Sequence, residues 1–253
     1  MESNLRVLLL IGVSICLVLL SRLYFSAVSL MAFVPLVWLL ENSAKRKIPI
    51  LYWFLGSVAI LTISSLFNLE IKIWGVLYGA GLTLALSLYL LTSRFSKNRL
   101  GMFTILFFWL GFDYLVLKVV STAAPAFLSS FFDGSKAMGW SRSTGNLGIT
   151  AWVVISNLLF YYVLLWRDAI FQKTIRWMSL IYALLLISLP VVISFYVITD
   201  LAPITVEEMK SVYMNSKISL DVSYAKNGEW LGRISAWVSI MIVVYAVIKS
   251  KTK

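Results

Sequence analysis

Long apolar runs constrain this sequence more than any other feature. A helix of about 20 apolar residues crosses the ~30 Å hydrocarbon core of a bilayer, where only closed helices and barrels satisfy their main-chain hydrogen bonds. The runs therefore predict an all-α integral membrane protein with about eight transmembrane helices. Their predicted limits are Leu5 to Leu20, Ala27 to Leu40, Ile50 to Leu69, Trp74 to Leu91, Gly101 to Val120, Leu147 to Trp166, Trp177 to Ile198 and Leu231 to Ile248.

The composition agrees with a membrane protein and excludes several kinds of site. The chain is 60% hydrophobic and only 13% charged, with a net charge of +11. In such a chain a basic excess favours loops held against an anionic membrane surface, so no nucleic-acid partner is predicted. Histidine is absent and Cys16 is the only cysteine. We therefore predict no cofactor, no metal site and no catalysis that depends on histidine.

The distribution of Lys and Arg predicts the orientation. The side with more of these residues faces the cytoplasm, and it would hold both termini together with Arg6, Lys45, Arg46, Lys47, Arg94, Lys97, Arg99, Arg167, Lys173, Arg176, Lys249, Lys251 and Lys253. We interpret residues 1–253 as a single membrane domain. Its two long outer loops would be 121–146 and 199–230.

Asp113 is the most costly residue to place in a span. An acidic side chain at a helix centre costs ~2.5–3.5 kcal/mol on insertion scales, so a polar group is expected to face it. One interpretation is an interhelical hydrogen bond that fixes packing, and the other is a substrate or proton site. Lys118 follows five residues later and can extend its amine outward to the interface.

Small residues predict two places where helices approach closely. Gly75, Gly79 and Thr83 recur at four-residue spacing in the fourth run, a pattern typical of helix contact. The stretch "GWSRSTGNLGITAWVVISN" from Gly139 to Asn157 contains Arg142, Gly145 and Gly148 and leads into the sixth run. Asn157 lies inside that run and is expected to bond to a buried polar partner such as Asp113 or a Ser/Thr hydroxyl.

Tryptophan and tyrosine residues cluster near the predicted span ends. Amphipathic aromatic rings are enriched at the level of the lipid headgroups. The pattern therefore predicts an aromatic belt that includes Trp38, Tyr52, Trp53, Trp74, Trp166, Trp177 and Trp230.

Four motifs, in the same order, resemble the membrane domain of the bacterial apolipoprotein N-acyltransferases. They are "FVPLVWLLENS", "WLGFDYL" with Trp109, Asp113, Tyr114 and Leu115 in register, "TGNLGITAWVVISN" with Gly145, Gly148 and Asn157, and "SYAKNGEWLGRISAW" with Tyr224, Gly228, Glu229 and Trp230. Some positions depart from the family pattern. Asp113 stands in place of Glu, Val116 in place of Arg, and Thr150 in place of Ser.

The resemblance also shows what this chain lacks. In that family a nitrilase-like domain lies between the seventh and eighth spans, and its Glu, Lys and Cys triad transfers an acyl chain from phospholipid to an apolipoprotein amino terminus. Here the interval 199–230 is short and contains no cysteine, so no catalytic residue can be carried over. The resemblance implies a multi-pass protein of the bacterial cytoplasmic (inner) membrane. Its implied buried polar or lipid-cavity residues are Trp109, Asp113, Tyr114, Arg142, Gly145, Gly148 and Asn157.

Three functions are compatible with these features. The leading hypothesis is a non-catalytic membrane protein that binds phospholipid or lipidated protein termini, alone or with a separately encoded nitrilase-type subunit in lipoprotein maturation. The alternative is a small transporter or channel that uses Asp113 with Lys118 or Arg142. A stand-alone enzyme that uses Asp113 as acid or base is the third, although one carboxylate without His or Cys is a poor catalytic set.

Overall fold

A computed structural model of the chain describes residues 2–66, 72–96, 101–119, 128–132, 138, 140–165, 176–196 and 222–251. These residues are almost entirely helical and include no strand. The helices are α1 (Glu2–Leu23), α2 (Ser29–Ala32), α3 (Val34–Ala44), α4 (Ile50–Leu66), α5 (Lys72–Ser96), α6 (Phe103–Val119), α7 (Ser141–Phe160), α8 (Trp177–Tyr196) and α9 (Val222–Lys251). Tyr161–Leu165 extends α7 as a π-helical turn, and Ser26–Val28 and Ser129–Phe132 are 3₁₀ turns.

The helices are those of a multi-pass membrane protein. Within the described residues, six segments are long and apolar enough to cross a bilayer: Asn4–Leu23, Ser26–Ala44, Gly75–Ser93, Leu147–Leu165, Trp177–Tyr196 and Trp230–Lys251. Two further apolar helices, Ile50–Ser64 and Phe103–Val116, are shorter. The total of eight spans and the cytoplasmic position of both termini stay predictions.

Both predicted outer loops contain structure that the sequence did not indicate. Helix α9 begins at Val222, so residues 222–230 are helical and not part of a loop, while residues 199–221 lie outside the described residues. In the interval 121–146, α7 already begins at Ser141. Leu128, Phe131 and Met138 from the same interval are buried in the core. The described part of this interval is therefore packed against the membrane domain.

The second predicted span is a broken helix. Helices α2 and α3 are separated at Phe33, which has φ −98° and ψ 5°. Pro35 lies in the first turn of α3, and a proline ring clashes with the carbonyl four residues earlier and lacks an amide hydrogen. Pro35 thus disfavours a continuous helix here and suits the first turn of a new one, and α2 ends at Ala32 before α3 starts at Val34.

Close packing between α4 and α5 confirms the prediction for the small residues of the fourth run. A Cβ added at Gly79 would lie 2.6 Å from Thr62 Oγ1 and 2.7 Å from the Thr62 amide nitrogen. Thr83 turns its hydroxyl back to the Gly79 carbonyl at 2.8 Å. Any larger residue at position 79 would push the two helix backbones apart.

The rings predicted to form an aromatic belt divide into exposed and buried ones. Trp177 and Trp230 are exposed, as expected of rings at an interface. Trp38 and Trp53 belong instead to the buried core, and the Trp53 indole N–H donates to Ser87 Oγ at 2.9 Å. The side chains of Trp74 and Trp166 lie outside the described residues. The position of an aromatic residue near a span end was therefore not enough to predict whether its ring is exposed or buried in the core.

Candidate functional site

A buried carboxyl lies between α5 and α6. Asp113 is 0% exposed, and one of its oxygens, Oδ1, accepts a hydrogen bond from the hydroxyl of Tyr78. The Tyr78 ring packs edge-to-face on Phe112, with ring centroids 5.4 Å apart. This is the interhelical hydrogen bond that the packing interpretation predicts. Tyr78 was not identified from the sequence, because it lies between glycines in a run that reads only as a contact surface.

The second oxygen of Asp113 has a different environment. Oδ2 is buried and has no hydrogen-bond partner among the described residues. Lys118 does not reach it, because its amine lies over the Tyr114 ring, 5.8 Å from the ring centroid. The backbone of Arg142 lies in the first turn of α7, and its side chain is outside the described part of the chain. The carboxyl therefore keeps one free acceptor within the described structure.

Two predicted residues, Trp109 and Asn157, contact Phe33 at the break between α2 and α3. The ring of Phe33, at the break, packs edge-to-face on the buried indole of Trp109 at a centroid distance of 5.7 Å. Its main-chain amide contacts Asn157. Phe33 thus joins Trp109 of α6 to Asn157 of α7, while Asp113 lies one turn after Trp109 on α6 and bonds to α5.

Asn157 completes the hydrogen bonding of the broken helix. Its Oδ1 accepts from the Phe33 amide at 2.8 Å, and its Nδ2 donates to the carbonyls of Ser29 at 3.0 Å and Val153 at 2.8 Å. In a continuous helix the Phe33 amide would bond to the Ser29 carbonyl four residues earlier. The Asn157 amide is inserted between these two groups. Asn157 thus has the buried polar partners that were predicted, but they are main-chain groups, two of them at the break, and neither Asp113 nor a hydroxyl.

The glycines at the start of α7 shape its entry. Gly145 has φ 69° and ψ −173°, a conformation that is open essentially only to glycine, and it separates the first turn from the rest of α7. A Cβ at Gly148 would lie 2.1 Å from Thr144 Oγ1 and 3.1 Å from the Trp140 ring. Close approach of the incoming chain was the expected role of these residues, and the structure confirms it for Gly148.

A groove runs between α5, α6 and α9 on the outer surface of the bundle. One cavity, about 330 Å³ and almost entirely apolar, is lined by Ala85, Leu88, Phe108, Gly111, Phe112, Leu115, Ala236, Ser239, Ile240, Val243 and Val244. A second cavity, about 350 Å³, is lined by Tyr114, Arg233, Ala236, Trp237 and Ile240. Ala236 and Ile240 line both, so the two cavities adjoin each other along α9. We call them together the α6–α9 groove.

Glycines allow α9 to lie close against α6. A Cβ at Gly111 would lie 3.1 Å from Ser239 Oγ, and one at Gly232 would lie 2.3 Å from the Tyr114 ring. Tyr114 thus faces α9 and the groove. The structure does not bring all the predicted site residues to one place.

A second buried carboxyl was missed by the sequence analysis. Glu41, in α3, accepts from the Tyr89 hydroxyl and forms an ion pair with Lys45 at 2.8 Å. The Glu–Lys spacing of four residues on a helix is a signal that could have identified the ion pair. Tyr89, far away in sequence, carried no such signal.

The chain matches no known protein family, no curated protein and no solved structure. The resemblance to the N-acyltransferase membrane domain therefore depends on the four sequence motifs alone.

Proposed function

We propose that this protein is a non-catalytic membrane protein that binds a glycerophospholipid in the α6–α9 groove. An acyl chain occupies the apolar cavity, and the phosphate lies beside Arg233. The observation that carries this proposal is that the two cavities share Ala236 and Ile240 in their lining, which sets the apolar cavity beside the one lined by the cationic Arg233.

The apolar part of the groove suits a hydrocarbon chain. Among the described residues, Ser239 is the only polar side chain that lines the cavity, and its hydroxyl donates to its own helix at the Ser235 carbonyl, 2.7 Å away. The lining therefore offers a ligand almost no polar group. A volume of about 330 Å³ also lies within the range of about 300–1,000 Å³ that is usual for small-molecule sites.

The length of the groove suits one leaflet. Arg233 and Val244 are eleven residues apart on α9, which corresponds to ~16 Å along a helix axis. Half of a ~30 Å hydrocarbon core is ~15 Å. A lipid with its phosphate at Arg233 would thus extend its chain along the groove to about the middle of the bilayer.

The polar end of the groove resembles a headgroup site. Arg233 and Trp237 are exposed and line the second cavity with Tyr114. A guanidinium binds phosphate oxygens in a bidentate manner, and aromatic rings are favoured at the headgroup level. The predicted orientation places this end at the outer leaflet.

The family resemblance supplies a context for this binding. We propose eight spans with cytoplasmic termini in the bacterial inner membrane, since α4 and α6, with 17 residues each, reach the lower limit of about 17 residues for a span. Retained phospholipid or a lipidated protein terminus would be the ligand. A separate nitrilase-type subunit would supply any chemistry in lipoprotein maturation.

Native mass spectrometry of the full chain, purified from the membrane in mild detergent, tests the lipid proposal. Arg233→Gln should reduce phospholipid retention roughly tenfold, because a charge-assisted hydrogen bond contributes about 1.5–3 kcal/mol. Ala85→Phe, which fills the apolar cavity, should reduce it as well. Lys249→Gln removes another cation of α9, which lies over the Tyr245 ring, and is the matched control.

Equal lipid retention by Arg233→Gln and the wild type would contradict the proposal. The role in lipoprotein maturation is tested separately, by mass spectrometry of lipoprotein amino termini after deletion of the gene. Unchanged termini would reject that role and leave the lipid site to be decided by the first experiment.

A further inference from the structure

The turn between α3 and α4 contains an arginine in a conformation that favours glycine. Arg46 has φ 57°, in the left-handed region where a Cβ is strained. The Lys47 amide donates to the Asn42 carbonyl at 2.9 Å, and the Arg46 amide donates to the Ser43 carbonyl at 3.1 Å. These two bonds form a Schellman motif, whose left-handed position is usually glycine. Backbone strain of this kind is often found at functional sites. The arginine at this position therefore points to a role for its side chain.

A recess opens at this turn. Its volume is about 370 Å³, and its lining consists of Ser43, Arg46, Lys47, Ile48, Pro49 and Ile50. We call it the α3–α4 recess. Both of its cationic residues are exposed. The helix α4 begins at Ile50, so its first amide groups and the positive end of its dipole lie at the edge of the recess.

Three further observations favour the binding of an anion in this recess. Ser43 is 0% exposed, and its hydroxyl has no hydrogen-bond partner among the described residues. The nearby carboxylate of Glu41 is already bonded to Tyr89 and Lys45. Arg46 and Lys47 form no ion pair within the described part of the chain, so their charges are available to a ligand.

The surroundings of the recess favour a lipid over a free ion. Leu51 and Leu55 follow it on one face of α4, and both are exposed, at 64% and 62%. In a membrane this face contacts acyl chains. A group that places negative charge in the recess and hydrocarbon against these leucines is a phospholipid. Cationic recesses beside spans on the cytoplasmic side are typical sites for anionic headgroups.

We propose that the α3–α4 recess binds the phosphate of an anionic phospholipid, through Arg46, Lys47 and the first turn of α4. The site is separate from the α6–α9 groove and does not depend on the function proposed for that groove. By the predicted orientation it faces the inner leaflet, so the two sites would hold lipids of opposite leaflets.

The test uses the full chain in nanodiscs that contain phosphatidylglycerol diluted in phosphatidylcholine. The variant Arg46→Gly/Lys47→Gln should bind phosphatidylglycerol at least fivefold more weakly by native mass spectrometry. Its thermal midpoint should be equal to or above that of the wild type, because glycine relieves the left-handed strain at position 46. Loss of lipid without loss of fold is the expected result.

Two control variants separate the loss of the cationic side chains from a general effect of the substitutions. Lys47→Gln alone leaves the strained residue in place and should still weaken binding at least twofold, whereas Lys249→Gln should change it less than twofold. Unchanged phosphatidylglycerol binding by both recess variants would overturn the proposal. Full displacement of the lipid by millimolar inorganic phosphate would also overturn it, in favour of a site for free phosphate.

Discussion

Two tyrosines of α5 donate hydrogen bonds to two buried carboxyls, and the two pairs differ in what faces the second carboxyl oxygen. Tyr78 and Tyr89 are eleven residues apart, so they lie within about 20° of one another on the helix surface. Tyr89 donates to Glu41, whose other oxygen is 2.8 Å from the amine of Lys45. Tyr78 donates to Asp113, whose other oxygen has no partner in the described structure.

The difference shows how depth determines what a buried acid can do. Glu41 lies in the last turn of α3, where the Lys45 side chain is 44% exposed and can reach both solvent and the carboxylate. Its hydrogen bond and ion pair together make a complete structural contact. Asp113 lies further from the end of its helix, and Tyr78 is its only hydrogen-bond partner among the described residues. It is therefore the carboxyl with capacity left for a proton or a ligand.

The largest difference between the pairs is expected when the tyrosine hydroxyls are removed. Tyr78→Phe removes the only donor to Asp113 among the described residues, and a buried polar group left without a partner costs about 1–3 kcal/mol. Tyr89→Phe leaves Lys45 in place and should cost about 1 kcal/mol. Reversible unfolding of the reconstituted protein in denaturing detergent measures both free energies.

The double variant Tyr78→Phe/Asp113→Leu is the control for this comparison. Replacing both partners by apolar groups is nearly neutral when no polar atom is left unpaired, so it should recover most of the lost stability. Equal losses in Tyr78→Phe and Tyr89→Phe would show that the two carboxyls are satisfied to the same extent.

Amide replacements should shift the two pairs in opposite directions by about 1 kcal/mol or less. Asp113→Asn keeps an oxygen to accept from Tyr78 and removes a charge that no described cation offsets, so stability should hold or rise. Glu41→Gln loses the ion pair with Lys45, so stability should fall. The same unfolding measurement compares them.

The Asp113→Asn variant also tests the transport alternative. If a substrate flux measured in vesicles is lost while the variant folds normally, Asp113 serves transport. A folded variant with unchanged lipid retention and no change in any flux would leave Asp113 with the packing role alone.

The smallest effect is expected at Lys45. Lys45→Met removes a partly exposed ion pair, which contributes ~0.5 kcal/mol. The loss should disappear in 1 M salt, where the screening length is ~3 Å, while the effect of Tyr78→Phe should stay the same. A salt-dependent loss in Tyr78→Phe would show that water reaches Asp113.

Much of the fold could be predicted because hydropathy averages over many residues. The predicted limit at Ile50 coincides with the first residue of α4, and that at Trp177 with the first residue of α8. The free-energy cost of placing a carboxyl inside a span was enough to predict that Asp113 needs a polar partner. The contact at Gly79 could also be predicted, because small residues at four-residue spacing in a span usually mark a close helix contact.

The partners of the buried polar groups could not be predicted, because they depend on which helices become neighbours. Nothing near Asp113 in sequence indicates Tyr78, and nothing near Asn157 indicates Ser29. The break at Phe33 is different, since Pro35 gave a local signal that was available. Trp53 shows another limit of the sequence. Hydropathy predicts how deep in the membrane a ring lies, but it does not predict whether the ring faces the core of the bundle or the lipid.

The inserted amide of Asn157 has a consequence for how the protein is made. Phe33 precedes Asn157 by 124 residues, so α2 and α3 enter the membrane long before the side chain that completes their main-chain hydrogen bonds is synthesised. Until α7 arrives, Asn157 cannot complete the hydrogen bonds of the Phe33 amide and the Ser29 carbonyl. Final assembly of the second predicted span, α2 and α3, is thus a late step, and a chain that stops before Asn157 should be recognised by quality-control proteases.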